Sequence, residues 1–291
     1  MNSVADRRRR FRAILAGDAC VHPGSVFDPM SARIAEDLGF ECGMFAGSTA
    51  SLTVLGAPDL IVLTLTEFAE QARRICRASK ALPLLVDADH GYGNALNAMR
   101  TVQELEAAGV SAMTIEDTVL PRPYGDGKTT LLPLEEGLGK VRAGLAARDD
   151  PGLCVAARTG AVSANGLDDA VERTRAYTAS GTDALFYTGV RTRAELDALS
   201  AVATVPIILG GVEGTEVNDR AYLAARGVRV ALQGHQPIMA AARAVHDTLK
   251  ALREGAKPSD LPGLPAPGLV ASATRDSDYK RWTREFLGSG S

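Results

Sequence analysis

The chain has 291 residues, 46% hydrophobic and 23% charged, an ordinary globular composition that can bury a full core. Its 32 basic and 35 acidic residues leave a net charge of −3, so nothing forces the basic stripe that nucleic acid requires, and no run reaches the roughly 18 apolar residues of a membrane span. The N-terminus lacks the apolar stretch of a secretory signal, and Cys20, Cys42, Cys76 and Cys154 have no C-x-x-C spacing, which reads as reduced, buried thiols in a cytoplasmic protein.

Arg7 to Arg10 with Arg12 read as the solvated face of a first helix. A strand near 18–26 and a helix near 29–39 follow. The second strand, near 41–47, runs into Gly47-Ser48-Thr49-Ala50-Ser51, whose backbone N–H groups and hydroxyls suit a carboxylate. Asp59 lies in the loop beyond, before a helix near 66–79. The third strand, near 83–89, ends in Val86-Asp87-Ala88-Asp89-His90-Gly91-Tyr92-Gly93 and leads to a helix near 94–109. Glu116 and Asp117 close the fourth strand, near 111–117. Thr118 to Pro133 then forms a long link with Pro121, Pro123, Gly125 and Gly127, a length that suits an active-site lid. After a helix near 134–148, the fifth strand (153–159) ends around Arg158. Helices near 166–180, 193–203 and 219–226 alternate with strands near 183–189, 206–211 and 228–234. His235 follows the last strand and precedes a helix near 237–254. Gly39, Gly109, Gly181 and Gly227 sit where a left-handed residue would end a helix. Beyond Gly255 the chain is rich in Pro and Gly, then polar and helical around Ser277 to Phe286, where Trp282 and Phe286 share one face.

Eight strand–helix units predict a (β/α)₈ TIM-type barrel over residues 1–255, with a C-terminal extension over 256–291 that packs on a partner subunit. An open, doubly wound sheet is the alternative. In a barrel the chemistry sits at the C-terminal strand ends, and here those ends are acidic. Asp87 and Asp89, two apart, point to one face. Carboxylates converging without matched cations repel, and a hard divalent ion such as Mg²⁺ would relieve them. The plainer reading makes them helix caps and solvated loop acids. Arg158 suits bidentate carboxylate binding, or else pairs with one of these acids. His235 is a donor or acid at the mouth, or a helix-entry residue with local hydrogen bonds only. No G-x-S-x-G and no G-x-x-x-x-G-K-[ST] occurs, so neither a serine-hydrolase elbow nor a phosphate loop is supported.

Several strings resemble the isocitrate lyase and phosphoenolpyruvate mutase superfamily over roughly residues 10 to 250. They are Ser25-Val26-Phe27-Asp28-Pro29-Met30-Ser31-Ala32-Arg33, Gly47-Ser48, Asp87-Ala88-Asp89-His90-Gly91-Tyr92-Gly93-Asn94, Thr114-Ile115-Glu116-Asp117 and Ala157-Arg158-Thr159. His90 and Gly234-His235 carry a closer similarity to its oxaloacetate decarboxylase branch. The resemblance implies a barrel with a swapped eighth helix, a homotetramer built as a dimer of dimers, and a small anionic keto-acid substrate. It implies Mg²⁺, with Mn²⁺ as the alternative ion, held directly by Asp87 and through water by Asp59, Asp89 and Glu116. Ser48 and Arg158 match positions that bind the substrate carboxylate, and His235 matches a site histidine. The implied reaction is decarboxylation of oxaloacetate or a close β-keto diacid through a metal-stabilised enolate. Its rivals are cleavage of a 2-hydroxy diacid, oxaloacetate hydrolysis, phosphonopyruvate chemistry and a non-catalytic keto-acid-binding barrel. Three departures stand out: Pro121 to Lys128 contains no Cys or His where lyases carry them, Gly160 stands where relatives have Asn, and Gly210-Gly211-Val212-Glu213 lacks a Tyr.

Overall fold

The computed structural model describes residues 3–125 and 127–288, which group into two compact units divided between Gly234 and His235. In the first unit the strands are β1 (Gly24–Ser25), β2 (Gly43–Ala46), β3 (Leu84–Asp87), β4 (Ala112–Glu116), β5 (Cys154–Thr159), β6 (Ala184–Tyr187), β7 (Ile207–Leu209) and β8 (Val228–Ala231). They pair in parallel in chain order. A parallel bridge between Val21 and Val230 joins the two ends of the sheet, with Val21 N–H donating to the Arg229 carbonyl (2.9 Å) and Ala231 N–H to that of Val21 (2.9 Å). The expected TIM-type barrel is what forms, and the open doubly wound sheet is not.

The helices of this unit are α1 (Val4–Ala16), α2 (Pro29–Asp37), α3 (Gly47–Ala50), α4 (Leu65–Ala78), α5 (Ala95–Ala108), α6 (Leu134–Ala146), α7 (Ala161–Ala164), α8 (Leu167–Ala179), α9 (Arg193–Ser200) and α10 (Arg220–Ala225). Local chemistry starts several of them. Thr64 and Glu67 form a capping box on α4, Thr192 and Glu195 do the same on α9, and Asp28 with Pro29 opens α2. Gly109, left-handed at φ 89°, ends α5. The short α3 and α7 were not foreseen: each is a four-residue turn directly after a strand, too short to show helical periodicity.

Alternation along the strands sorts the core. Met44, Leu85, Ala112, Cys154, Ala156, Ala184, Phe186, Ile208 and Val230 form one buried cluster inside the barrel, joined by Phe11 and Leu15 of α1. Phe45, Leu84, Val86, Met113 and Val155 alternate outward, to pack with α4 and α5 residues. The same period carries the inward rows forward from Leu85 to Asp87, from Ala112 through Thr114 to Glu116, and from Ala156 to Arg158. Apolar side chains thus fill the lower layers and charged ones the top.

The basic run of α1 is not simply a solvated face. Arg7 and Arg8 are buried, Arg8 reaching the Val110 carbonyl (3.1 Å) and the Asp150 carboxylate (2.6 Å). Arg12 binds Asp183 (3.0 Å) and the Gly152 carbonyl (3.0 Å). Unsatisfied loop carbonyls opposite the acidic strand ends draw these guanidinium groups inward.

The second unit contains α11 (Gln236–Arg253), α12 (Pro267–Thr274) and α13 (Asp276–Leu287). Helix α13 covers the expected 277–286, whereas α12 begins where the Pro- and Gly-rich stretch ends and was not expected, Pro267 supplying a favourable first helical residue. Tyr279 and Trp282 meet edge to face at 5.3 Å. Helix α11 has no buried residue, and Val245, Leu249 and Leu252 are exposed along one of its faces. Among the described residues no helix is long and apolar enough to cross a membrane, and all four cysteines are buried free thiols.

Candidate active site

Strand register assembles the site. Asp87 lies opposite Ala46 on one side and Thr114 on the other, and Glu116 lies opposite Arg158. Arg158 is the hub: its Nη1 donates to Asp87 Oδ2 (2.7 Å), and its Nη2 pairs with Glu116 Oε2 (3.3 Å). Its guanidinium also sits 5.5 Å from the Phe186 ring centre. The ion-pair reading of Arg158 therefore holds, with two acids rather than one. Burial works against its charge, but Asp87, Glu116 and Asp89 outweigh that and hold the guanidinium firmly protonated. Its Nε is buried and has no partner among the described residues.

The remaining acids are held by short-range chemistry. Thr114 Oγ1 donates to Asp87 Oδ1 (2.8 Å), and Thr118 Oγ1 donates to Glu116 Oε2 (3.0 Å). Asp89 follows the end of β3 with φ 48°, in a turn where Gly91, Tyr92 and Gly93 also have positive φ. Aspartate tolerates that backbone better than most residues, and the turn places the Asp89 carbonyl to accept Glu116 N–H at 2.8 Å. Burial, then the negative charges of Asp87 and Glu116, push the Asp89 carboxyl well above the usual carboxylate range. Burial also raises Glu116, against the lowering influence of Arg158. A methyl group built on Gly47 would overlap the Asp89 carboxylate, so the start of α3 and this acid occupy one tight space.

These groups open on a cavity of about 880 Å³, a volume suited to a small ligand. Asp59, Asp89, Glu116 and Arg158 line it, with Arg122 and Lys128 from the 118–133 link and Gly160 and Thr188 from beyond β5 and β6. Asp87 does not line the cavity but is tied to it through Arg158. Half-buried Ser48 is in the first turn of α3 and, among the described residues, does not line it either. His235 belongs to the second unit, where it is the N-cap residue of α11. Among the described residues no three His, Cys, Asp or Glu side chains form a ready-made metal cage, and Arg158 pairs with both Asp87 and Glu116.

Beside the acids lie further buried groups, of which the sequence reading names His90 and Asp117 but not Lys140, Arg173 or Tyr177. Lys140 of α6 is buried, and desolvation lowers its pKa against the raising influence of Glu116, Glu136 and Asp117. His90 is buried too. Desolvation, then Lys140, lowers its pKa to about 4, so it is neutral near pH 7, and its Nδ1 lacks a partner among the described residues. Asp117 accepts from Arg173 Nη1 (2.9 Å) and from the Tyr177 hydroxyl (2.6 Å). A lysine and an arginine within helices read as solvated residues. The available signal was the spacing of Gly137, Lys140, Val141 and Gly144, which puts Lys140 on the stripe that faces inward.

Comparison with known proteins places this arrangement. The family model for phosphoenolpyruvate phosphomutase matches residues 11–253. A Bradyrhizobium sp. (strain BTAi1) protein named oxaloacetate decarboxylase is 58% identical over 285 residues, covering 98% of each chain. The structure of phosphoenolpyruvate phosphomutase from Streptomyces platensis subsp. rosaceus superposes with a TM-score of 0.85 at 28% identity, covering 96% of this chain and 99% of the other. A phosphonopyruvate hydrolase solved with oxalate and Mg²⁺ superposes with a TM-score of 0.84 at 29% identity, covering 97% and 99%. With its strand-end acids gathered around Arg158 and this extent of similarity, the chain belongs to the phosphoenolpyruvate phosphomutase family.

Proposed function

We propose that the chain is a carboxy-lyase that converts oxaloacetate to pyruvate and CO₂ in the cavity lined by Asp89, Glu116 and Arg158. The observation that carries this is a firmly protonated guanidinium, fixed among strand-end carboxylates, on the wall of a cavity of small-molecule size. The 58% identical relative named oxaloacetate decarboxylase supports the substrate.

The donor set fits a hard divalent cation. Asp59, Asp89 and Glu116 line the cavity and Asp87 lies behind Arg158, all offering oxygen, and burial followed by the negative charges of Asp87 and Glu116 raises Asp89. Asp87 would hold Mg²⁺ (or Mn²⁺) directly, with Asp59, Asp89 and Glu116 reaching it through water, in keeping with an ion that gives up its waters reluctantly. When bound, the ion supplies Lewis-acid stabilisation for negative charge growing on the keto oxygen. Arg158 would orient the C1 carboxylate of the substrate from the cavity wall, its two acids keeping the plane from swinging, and Ser48, in the first turn of α3 and outside the lining, is proposed to assist it. The C3–C4 bond then breaks, its electron pair stays with the enolate, CO₂ departs, and a proton added at C3 gives pyruvate. His235 is the group proposed to contact the departing carboxylate.

His235→Ala is expected to lower kcat/KM for oxaloacetate roughly 10- to 1,000-fold, the scale of one positioned polar group or acid. Tyr124→Phe, at a fully exposed loop side chain, and Lys128→Ala should each cost much less. Steady-state pyruvate production at fixed Mg²⁺ decides this. A near-wild-type His235→Ala beside an inactive loop variant would replace the decarboxylase reading with a lyase or hydrolase one.

The assembly proposed is a cytoplasmic homotetramer, a dimer of dimers, formed by exchange of α11 and docking of the 256–291 extension. The exposed Val245, Leu249 and Leu252 of α11 and the exposed Trp282 and Phe286 of α13 support it, since such apolar faces call for a partner surface. Four buried free thiols suit a reducing compartment. Light scattering at micromolar concentration should show dimers or tetramers; monomer alone would reject the exchange.

A further inference from the structure

The connection between β4 and α6 is held shut at its neck. Thr118 bridges Leu131 in antiparallel fashion, Val119 N–H donates to the Thr130 carbonyl (2.8 Å), and Leu132 N–H donates to the Asp117 carbonyl (2.7 Å). Across this neck lies the guanidinium of Arg173, a buried residue of α8. Its Nη1 binds Asp117 Oδ2 (2.9 Å) on the entering strand, and its Nη2 binds the Leu132 carbonyl (3.1 Å) on the returning one. Its Nε is anchored on Asp169 (2.8 Å), one helical turn earlier. One planar side chain thus ties both ends of the connection to the same helix.

Two further contacts belong to the same device. The Tyr177 hydroxyl, one turn beyond Arg173, donates to the same Asp117 oxygen at 2.6 Å. It has room to do so because residue 137 of α6 is glycine: a methyl group there would overlap that hydroxyl. Asp117 also directly follows Glu116, and Thr118, the first neck residue, donates to the Glu116 carboxylate at 3.0 Å. The neck is therefore continuous with the acidic wall of the cavity.

We propose that Arg173, with Asp117 and Tyr177, is a positioning clamp that fixes both ends of the 118–132 connection at its neck, so that Glu116 and Thr118 stay in place. Arg173 touches no reacting atom. It acts through Asp117 on the neck, and through the neck on Glu116. The catalytic part rests on the site reading given above, whereas the clamp itself is a statement about the neck.

The test uses the full-length protein with Arg173→Lys, Arg173→Met and Tyr177→Phe. Lysine keeps the charge but cannot span Asp117 and the Leu132 carbonyl together, and phenylalanine removes one hydrogen bond. Amide hydrogen exchange is expected to show lost protection at Val119 and Leu132 in the Arg173 variants, while Met113 and Ile115 of β4 stay protected. For oxaloacetate, kcat is expected to fall about 10- to 100-fold in Arg173→Lys with a smaller change in KM, the size of effect seen when an outer-shell partner is lost. Tyr177→Phe should shift both readouts in the same direction by less. Should Arg173→Met fail to fold, the other two variants decide. Wild-type exchange at Val119 and Leu132 in Arg173→Lys would overturn the clamp, and so would lost protection with kcat within twofold of wild type, which would leave a purely structural tie. If wild type itself fails to turn over oxaloacetate, the site reading falls, and the exchange measurement still judges the neck.

Discussion

Asp87→Ala is expected to lose Mg²⁺ binding and to reduce pyruvate formation by at least about 10³-fold, the scale for removing a group on which transition-state charge stabilisation depends. Asp87 is where several demands meet: it accepts from Thr114 and from Arg158, and it is the proposed direct ligand. Alanine leaves Arg158 paired to Glu116 at 3.3 Å, so the guanidinium loses the shorter of its two anchors. The barrel should still fold, because the core of β3 is carried by Leu84, Leu85 and Val86, all buried ahead of this position. Asp87→Asn separates charge from shape, since the amide preserves the volume but is a poor ligand for a hard cation. Calorimetric titration with Mg²⁺, circular dichroism and a coupled pyruvate assay measure the three parts. Full wild-type turnover after EDTA treatment would remove the metal from the argument altogether.

Arg158→Met should be nearly as damaging to turnover, about 10²- to 10³-fold in kcat/KM, and more damaging to stability. Removing one partner of a buried ion pair typically costs about 3–5 kcal/mol, because the other charges stay behind. Here they are Asp87 and Glu116, with Asp89 already pushed upward by burial and then by both of them. Arg158→Lys should recover little, since an ammonium cannot reach two carboxylates through a planar fork. The informative readout is thermal unfolding with and without Mg²⁺. If the ion and the guanidinium neutralise the same acids, Mg²⁺ should raise the variant's Tm by more than it raises that of wild type. Equal Tm shifts, or a variant within tenfold of wild-type kcat/KM, would mean that Arg158 and the metal address different charges.

The barrel was legible because its signals are periodic and repeated. Strand–helix alternation recovers every strand from β1 to β8, and glycines such as Gly109 mark the helix ends. Asp87 and Glu116 were legible for a related reason, because period two along β3 and β4 turns both inward, whereas Asp89 lies past the end of β3 in a left-handed turn, where the strand alternation expected for it does not apply. What the sequence could not carry was pairing between distant residues. Arg158 gave no sign that it would take both Asp87 and Glu116, because that depends on the β4–β5 register. Arg173 and Tyr177 lie on α8, where only packing shows them enclosed, whereas Lys140 shares an inward helical stripe with Gly137, Val141 and Gly144. The Arg7–Arg12 run misled in the same way, since long side chains at a helix surface give no hint of the loop carbonyls waiting for them.

The tight fit between Gly47 and Asp89 also bears on how this chain is able to diverge. The carboxylate fills the volume that any larger residue at position 47 would need. While the Asp89 carboxylate keeps this place, a side chain at position 47 can enter only by displacing it. The two positions, 42 apart in the sequence, are therefore coupled through space, and a change at one bears on the other. A descendant barrel that had abandoned this chemistry would be free to fill the gap, and a bulkier residue at position 47 would be the mark of it.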